Sequence, residues 1–290
     1  MSCFNAVSGK TRVCGIIGDP VAHTMSPVMH NAAFRQLGLD YIYLAFPVKK
    51  TELERAIAGM RALNLRGLNV TIPHKVAVIP LLDKVDAAVG KIGAVNTIVN
   101  DDGLLTGYNT DAGGFLQALR EKGFTPEGKG TVVLGAGGAA RAISFVLAQQ
   151  GARLTILNRT PERAEELAGW LSSSFPQEIA AGELNEKNLT AALTKASFLV
   201  NTTSVGMSPH DGESPVPQRL LGPSLLVFDI VYHPLQTGLL REAESAGART
   251  IPGIEMLVGQ GALAFTLWTG QPAPISLMKE EAIKALGYEK

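Results

Sequence analysis

The run Gly135-Ala136-Gly137-Gly138-Ala139-Ala140 fits G-x-G-x-x-A, and it stands between a short apolar stretch, Thr131 to Leu134, and a run with helical apolar spacing. Glycines in this order let the chain turn tightly out of a strand. They also bring backbone N–H groups close to a pyrophosphate at the positive end of the next helix. Alone the motif carries little weight, but with a strand before it and a helix after it the chain is constrained to a parallel, doubly wound sheet that binds a dinucleotide. In NAD-binding versions a carboxylate about 20 residues further on holds the ribose hydroxyls. Here the second strand ends in Asn158-Arg159-Thr160, with Arg163 one helical turn later. Cations at a helix start oppose the macrodipole. Their presence is better explained by a 2′-phosphate to clamp, which predicts NADP as the cofactor.

The same alternation of strand and helix runs along the chain before this loop. Val13 to Ile17 is a β-prone run closed by Gly18. Ser26-Pro27 then opens a helix with apolar positions at Val28, Met29, Ala32, Ala33 and Leu37, and Gly38 ends it, so Ser26 is expected as the N-cap. Tyr41 to Phe46 reads as a strand, Thr51 and Glu54 as a capping box for the helix after it, and Leu68 to Ile72 as a third strand. Strands alternating with helices predict parallel pairing. A helical stretch follows from Lys75. Ala94 to Val99 and Leu104 to Tyr108 flank Asp101-Asp102-Gly103, which has the chemistry of a hairpin turn.

A helix from Asp111 to about Lys122 resumes the alternation, and the change of domain is placed there. Beyond the glycine loop come strand Leu154 to Leu157, a helix from Pro161 to about Leu171, strands Phe198 to Val200 and Leu225 to Ile230, and helix Leu235 to Ala246. Ile254 to Trp268 and Leu277 to Leu286 are helical runs expected to return to the first domain. The fold class predicted is therefore α/β with two α/β domains, residues 1–110 with 253–290 and a Rossmann-type domain over 111–252.

Composition narrows the function classes. The 31 glycines among 290 residues are scattered without a G-x-y repeat, as many βα turns require, which excludes collagen and linkers. Lys and Arg (26) balance Asp and Glu (26), so no global field favours nucleic acid or an anionic membrane. The longest apolar candidate, Leu225 to Val231, falls short of the roughly 18 residues a membrane helix needs and contains Asp229. Met1 to Thr11 is polar and lacks a secretory core, so a cytoplasmic location is expected. Cys3 and Cys14 match neither a disulfide framework nor a metal spacing, so both are expected reduced and no metal is predicted.

Uncharged hydrogen-bonding groups recur at the junctions of the first domain: Thr24 and Ser26, then Asn69 and Thr71 with Lys75 beyond, then Asn96 and Thr97. Each has a bland reading as a cap, a turn residue or a solvated charge. Their recurrence where ligands of open α/β sheets bind points to a polyhydroxylated, anionic small molecule.

The ordered motifs Thr24-x-Ser26-Pro27-x-x-His30-Asn31, Asn69-Val70-Thr71-Ile72-Pro73-His74-Lys75, Gly93-Ala94-Val95-Asn96-Thr97, Asn109-Thr110-Asp111, Gly135-Ala136-Gly137-Gly138 and Asn158-Arg159-Thr160 together resemble the shikimate dehydrogenase family. Asp229 to Tyr232 and Gly253 to Gln260 agree with it. The resemblance implies NADPH-dependent, reversible reduction of 3-dehydroshikimate to shikimate, a CH–OH oxidoreductase of aromatic amino-acid biosynthesis. It implies that Lys75 and Asp111 form the catalytic pair, that Thr24, Ser26 and Tyr232 bind the substrate carboxylate, and that Asn69, Thr71, Asn96 and Gln260 hold the ring hydroxyls. For NADP it implies Gly135, Ala136, Gly137, Gly138, Ala139, Asn158, Arg159, Thr160, Arg163, Ile230 and Gly253, with Asp86 at the rim. A homodimer is compatible with it.

The family usually has Ser at the position of Thr24. The added methyl stiffens the side chain and narrows the carboxylate pocket, so Thr24 is expected to disfavour quinate. A broader quinate/shikimate dehydrogenase, a reductase of another polyol or folate-like substrate on the same plan, and an NADP-sensing binding protein are the alternatives. A sensor has no need of Lys75 with Asp111.

Overall fold

Short apolar runs closed by glycine or polar turns become strands throughout the computed structural model, which describes residues 7–288. Cys3 and most of the polar N-terminal stretch lie outside that range. The chain divides into two compact units, one running to Gly114 and resuming at Val258, the other Phe115–Leu257. Among the described residues no helix is long and apolar enough to cross a membrane.

The first unit contains β1 (Arg12–Gly18), α1 (Ser26–Gln36), β2 (Tyr41–Pro47), α2 (Leu53–Ala62), β3 (Gly67–Val70), β4 (Lys84–Val85), α3 (Ala87–Ile92), β5 (Thr97–Asp101), β6 (Leu104–Tyr108) and the start of α4 (Thr110–Glu121). The strand order is β2-β1-β3-β5-β6-β4. β1 is parallel to β2 and β3, whereas β5 is antiparallel to both β3 and β6. The expected hairpin thus makes the sheet mixed rather than parallel, with Asp102 (φ 51°) and Gly103 (φ 93°) supplying the left-handed turn. Because β5 runs backwards, its amino end lies beside the carboxyl ends of β3 and β6, in the register Asn69 opposite Thr97 opposite Tyr108.

Three local expectations are corrected. Ser26 is the first helical residue rather than the cap; Met25 holds the cap position, and the Thr24 hydroxyl accepts the Ser26 N–H at 3.3 Å. The Thr51/Glu54 box does not form, because a 3-10 turn at Lys50–Glu52 occupies those positions and α2 begins at Leu53. The helical stretch from Lys75 resolves into turns, a 3-10 turn at Ile79–Leu81, the two-residue β4 and the short α3. Pro80 lacks the N–H that a continuous helix would use.

One face of this sheet buries Ile17, Leu68, Val70 and Ile98 with Leu53, Ile57 and Met60 of α2. His30 and Phe34 of α1 pack with Tyr43 of β2 and with Phe265 and Trp268 of α9 (Gly253–Thr269). The Trp268 indole donates to the Ile98 carbonyl at 3.0 Å. α10 (Ile275–Ala285) packs on α1.

The second unit carries β7 (Gly130–Leu134), α5 (Gly138–Gln149), β8 (Arg153–Asn158), α6 (Pro161–Ser172), β9 (Ile179–Glu183), α7 (Glu186–Leu193), β10 (Phe198–Asn201), β11 (Leu226–Asp229), α8 (Gly238–Ser245) and β12 (Arg249–Ile251). All neighbours are parallel in the order β12-β11-β10-β7-β8-β9, the doubly wound arrangement expected. β9, α7 and β12 are additions to the elements read from the sequence.

Candidate active site

The strand ends of the first unit gather most of its expected site residues. Lys75 follows β3 on a loop whose backbone is fixed from both sides: the Val95 N–H donates to the Lys75 carbonyl at 2.8 Å, and the neighbouring His74 ring donates from Nε2 to the Val48 carbonyl at 2.7 Å. His74 is 1% exposed and so serves as a loop anchor. Asp111 lies in the first turn of α4, where a carboxylate suits the helix dipole. Its Oδ2 meets Lys75 Nζ at 2.5 Å, and the two side chains are only 14% (Lys75) and 8% (Asp111) exposed. Charges so far removed from water persist only when paired and further hydrogen-bonded.

Asn96 supplies the further bond, donating from Nδ2 to Asp111 Oδ1 at 2.9 Å. The same Nδ2 lies 2.9 Å from Thr110 Oγ1 and 3.5 Å from Gln260 Oε1, and Asn96 Oδ1 accepts the Thr110 N–H at 2.7 Å and the Thr97 hydroxyl at 3.1 Å. Asn69 continues the chain through Nδ2, which donates to the Asn96 carbonyl and to Thr97 Oγ1. Lys75, Asp111, Asn96, Gln260 and Asn69 therefore form one connected network. Asn96 joins it at the amino end of β5 and not, as expected, at a strand-to-helix junction. Thr97, singled out in the sequence with Asn96, and Thr110, within the Asn109-Thr110-Asp111 motif, bridge the network, although the sequence assigns neither a site role.

Thr24 and Ser26 form a separate hydroxyl pair after β1, 3.2 Å apart, with Ser26 buried. Thr71 follows β3 half-buried, its N–H on the Ile17 carbonyl and its methyl filling the space a Cβ at Gly18 would need. Asp86 stands apart from both groups: it caps α3, accepting the Ala88 N–H at 2.8 Å.

In the second unit Gly135 has φ +108°, and a Cβ there would lie 2.6 Å from Thr202 Oγ1, so only glycine makes this turn. Gly137 caps α5 with no side-chain bond, and the space where its Cβ would sit is open. An uncapped, positive helix end cradled by glycines, with Ala136, Gly138 and Ala139 around it, fits a pyrophosphate. At the tip of the next strand Asn158 donates to the Thr160 carbonyl at 2.8 Å, while Arg159 and Arg163 are exposed at the start of α6 and form no ion pair among the described residues. After β11, Gly253 packs on the backbone of Ile230 and Val231, where a Cβ would come within 2.5 Å of both carbonyl oxygens.

Tyr232 follows, half-buried, on a segment tied down by Asp229. That carboxylate accepts from Asn201 Nδ2 at 2.9 Å, the Val231 N–H at 3.0 Å and the Thr237 hydroxyl at 2.7 Å. Burial pushes its carboxyl up to about 6, against the pull of those donors. Among the described residues no group of side chains could hold a metal ion.

Three family models match successive parts of the chain: the shikimate dehydrogenase substrate binding domain over residues 16–98, shikimate / quinate 5-dehydrogenase over 118–216, and the shikimate 5'-dehydrogenase C-terminal domain over 253–283. A shikimate dehydrogenase (NADP(+)) of Moorella thermoacetica is 49% identical over 97% of this chain and 96% of its own. Among solved structures, a shikimate dehydrogenase in complex with NADP+ superposes with a TM-score of 0.89 at 41% identity, covering 96% of this chain and 97% of that one. The Thermus thermophilus shikimate 5-dehydrogenase in complex with NADP(H) and shikimate gives 0.85 at 39% identity over 94% and 99%. Identity at this level along almost the whole length of each chain places the protein in the shikimate dehydrogenase family.

Proposed function

We propose that the protein catalyses the NADP-dependent interconversion of 3-dehydroshikimate and shikimate, with Lys75 and Asp111 at the reacting oxygen. The observation that carries this is the buried Lys75–Asp111 pair joined through Asn96 to the amide and hydroxyl groups of the strand ends. Bound NADPH supplies the hydride. As the carbonyl carbon is reduced, negative charge develops on its oxygen; an ammonium beside it stabilises that charge and delivers the proton, while Asp111 keeps the ammonium aimed and Asn96 keeps Asp111 in place. Asn69, Thr71, Asn96 and Gln260 are suited to the ring hydroxyls, and Thr24 and Ser26, with Tyr232, to the carboxylate. NADP would be held by the glycine loop through its pyrophosphate, by Arg159 and Arg163 through its 2′-phosphate, and by Ile230 and Gly253 near the nicotinamide end. In this reading the first compact unit, to Gly114 and again from Val258, binds substrate, and the second, Phe115–Leu257, binds NADP.

Initial rates on a grid of shikimate and quinate against NADP and NAD test the reading. Activity confined largely to shikimate with NADP is expected, and Thr24→Ser should raise the quinate-to-shikimate ratio of kcat/KM. Strong turnover of quinate or with NAD would overturn the specificity assigned to Thr24 and the arginines, and silence in all four combinations would overturn the activity itself.

A further inference from the structure

The His30-Asn31 pair on α1 reaches none of the proposed catalytic groups directly, yet both residues grip the same neighbour. Asn31 pins the backbone of Tyr43 on both sides, donating from Nδ2 to its carbonyl at 2.9 Å and accepting its N–H at 2.8 Å. His30 lies flat on the Tyr43 ring, with centroids 4.5 Å apart and planes 7° from parallel. Both ring nitrogens of His30 are buried without a hydrogen-bond partner, and Phe34, Phe265 and Trp268 enclose it. A histidine so placed acts as a neutral aromatic plate.

What the plate and the backbone clamp fix is a phenol. The fully buried Tyr43 donates its hydroxyl to Asn69 Oδ1 at 2.7 Å. Both N–H donors of that amide are already spent, on the Asn96 carbonyl at 3.2 Å and Thr97 Oγ1 at 3.0 Å. The Asn96 carbonyl can only accept and so fixes which end of the Asn69 amide is Nδ2, while the Tyr43 hydroxyl, able to donate or accept, donates to Oδ1 and holds that end in place. The free capacity left on Asn69 is the second lone pair of Oδ1.

We infer that Tyr43, clamped by His30 and Asn31, is a positioning residue that locks the Asn69 amide so that it meets the substrate as a hydrogen-bond acceptor from a ring hydroxyl. This rests on the proposed role of Asn69 in holding substrate.

Tyr43→Phe removes one oxygen and keeps the stacked ring. It is expected to raise the shikimate KM by about tenfold, with a smaller change in kcat and the NADP KM within about twofold of the parent. In an Asn69→Ala background the same substitution should add little, because the two residues act in series. His30→Leu is expected to weaken shikimate binding in the same way, and His30→Phe, which retains a flat ring, to recover it.

A shikimate KM unmoved by Tyr43→Phe, equal rises in both KM values, or additive effects in the double variant would overturn the inference. Should Asn69→Ala itself leave the shikimate KM unmoved, the reading of Asn69 fails and the inference with it. A rise in Asn69→Ala without one in Tyr43→Phe overturns the positioning role alone.

Discussion

Lys75 and Asp111 show what a single residue contributes here. Each charge is held out of water by the loop and helix that carry it, so the pair survives through mutual attraction and the amide of Asn96. Lys75→Ala leaves Asp111 with its Asn96 bond but removes the only proton donor proposed at the reacting oxygen. Turnover is expected to fall by about 10²-fold or more while NADP affinity, read by direct titration, stays near the parent value. Equal losses in both would make Lys75 a structural lysine. These two residues were legible in the sequence because their flanking motifs resemble a family. The network around them was less so. Asn96 lies at the amino end of β5, which runs antiparallel to its neighbours; the Asp101-Asp102-Gly103 turn announced the pairing with β6, but no local pattern encodes the pairing with β3 that sets Thr97 opposite Asn69. Ser26 misled in the other direction: Ser before Pro is a sound cap signal, but the helix begins one residue earlier than that signal implies, with Met25 at the cap and no side-chain cap bond, and Ser26 instead gives its own N–H to the Thr24 hydroxyl.

Elements transmit such placement when their backbones touch. Gly114 of α4 and Gly259 of α9 meet closely enough that a Cβ on Gly114 would lie 2.5 Å from the Gln260 N and one on Gly259 would lie 3.0 Å from Gly114 Cα. Asp111 is one helical turn before the first contact, and Gln260 adjoins the second. Gly259→Ala must therefore move backbone rather than a flexible side-chain tip. It is expected to cost about 1–3 kcal/mol of stability and to lower kcat/KM together with it. Gly59→Ala, on α2 where a new Cβ meets nothing within 4 Å, should be neutral or stabilising by about 0.5–1 kcal/mol. Paired melting curves and initial rates check both, and a Gly259→Ala protein with parental activity would sever the link between this contact and the site. Elements were legible in the sequence where both faces are buried. β7 and β10 read as apolar runs, and the glycine loop announced α5. β9 and β12 escaped because they are the edges of their sheet, paired on one side only, and Ile179-Ala180-Ala181-Gly182-Glu183 offers little apolar signal.

At the scale of the whole molecule the two units carry buried titratable groups of opposite effect. His30, in the first unit, is desolvated so completely that its pKa falls to about 3 from a reference of 6.5. Folded, it stays neutral; unfolded, it binds a proton below about pH 6.5, so the unfolded chain takes up protons as pH drops and the first unit loses stability from there down to about pH 3. Asp229, in the second unit, is shifted up by burial to about 6 from 3.8. Between those values the folded form binds more protons than the unfolded one, so its contribution favours folding as pH falls from about 6 to about 4. Each unit also contains one of the two tryptophans, Trp268 in the first and Trp170 in the second. Thermal unfolding followed by fluorescence in Trp170→Phe and Trp268→Phe variants therefore reports the units separately. From pH 6.5 to 4.5 the midpoint seen by Trp268 is expected to fall further than that seen by Trp170. His30→Phe should shrink the difference by removing the proton that His30 takes up in the unfolded first unit, and Asp229→Asn should shrink it by withdrawing the compensation in the second. Coincident midpoints at every pH would mean that the units unfold as one cooperative block, with the two linkages acting on a single transition.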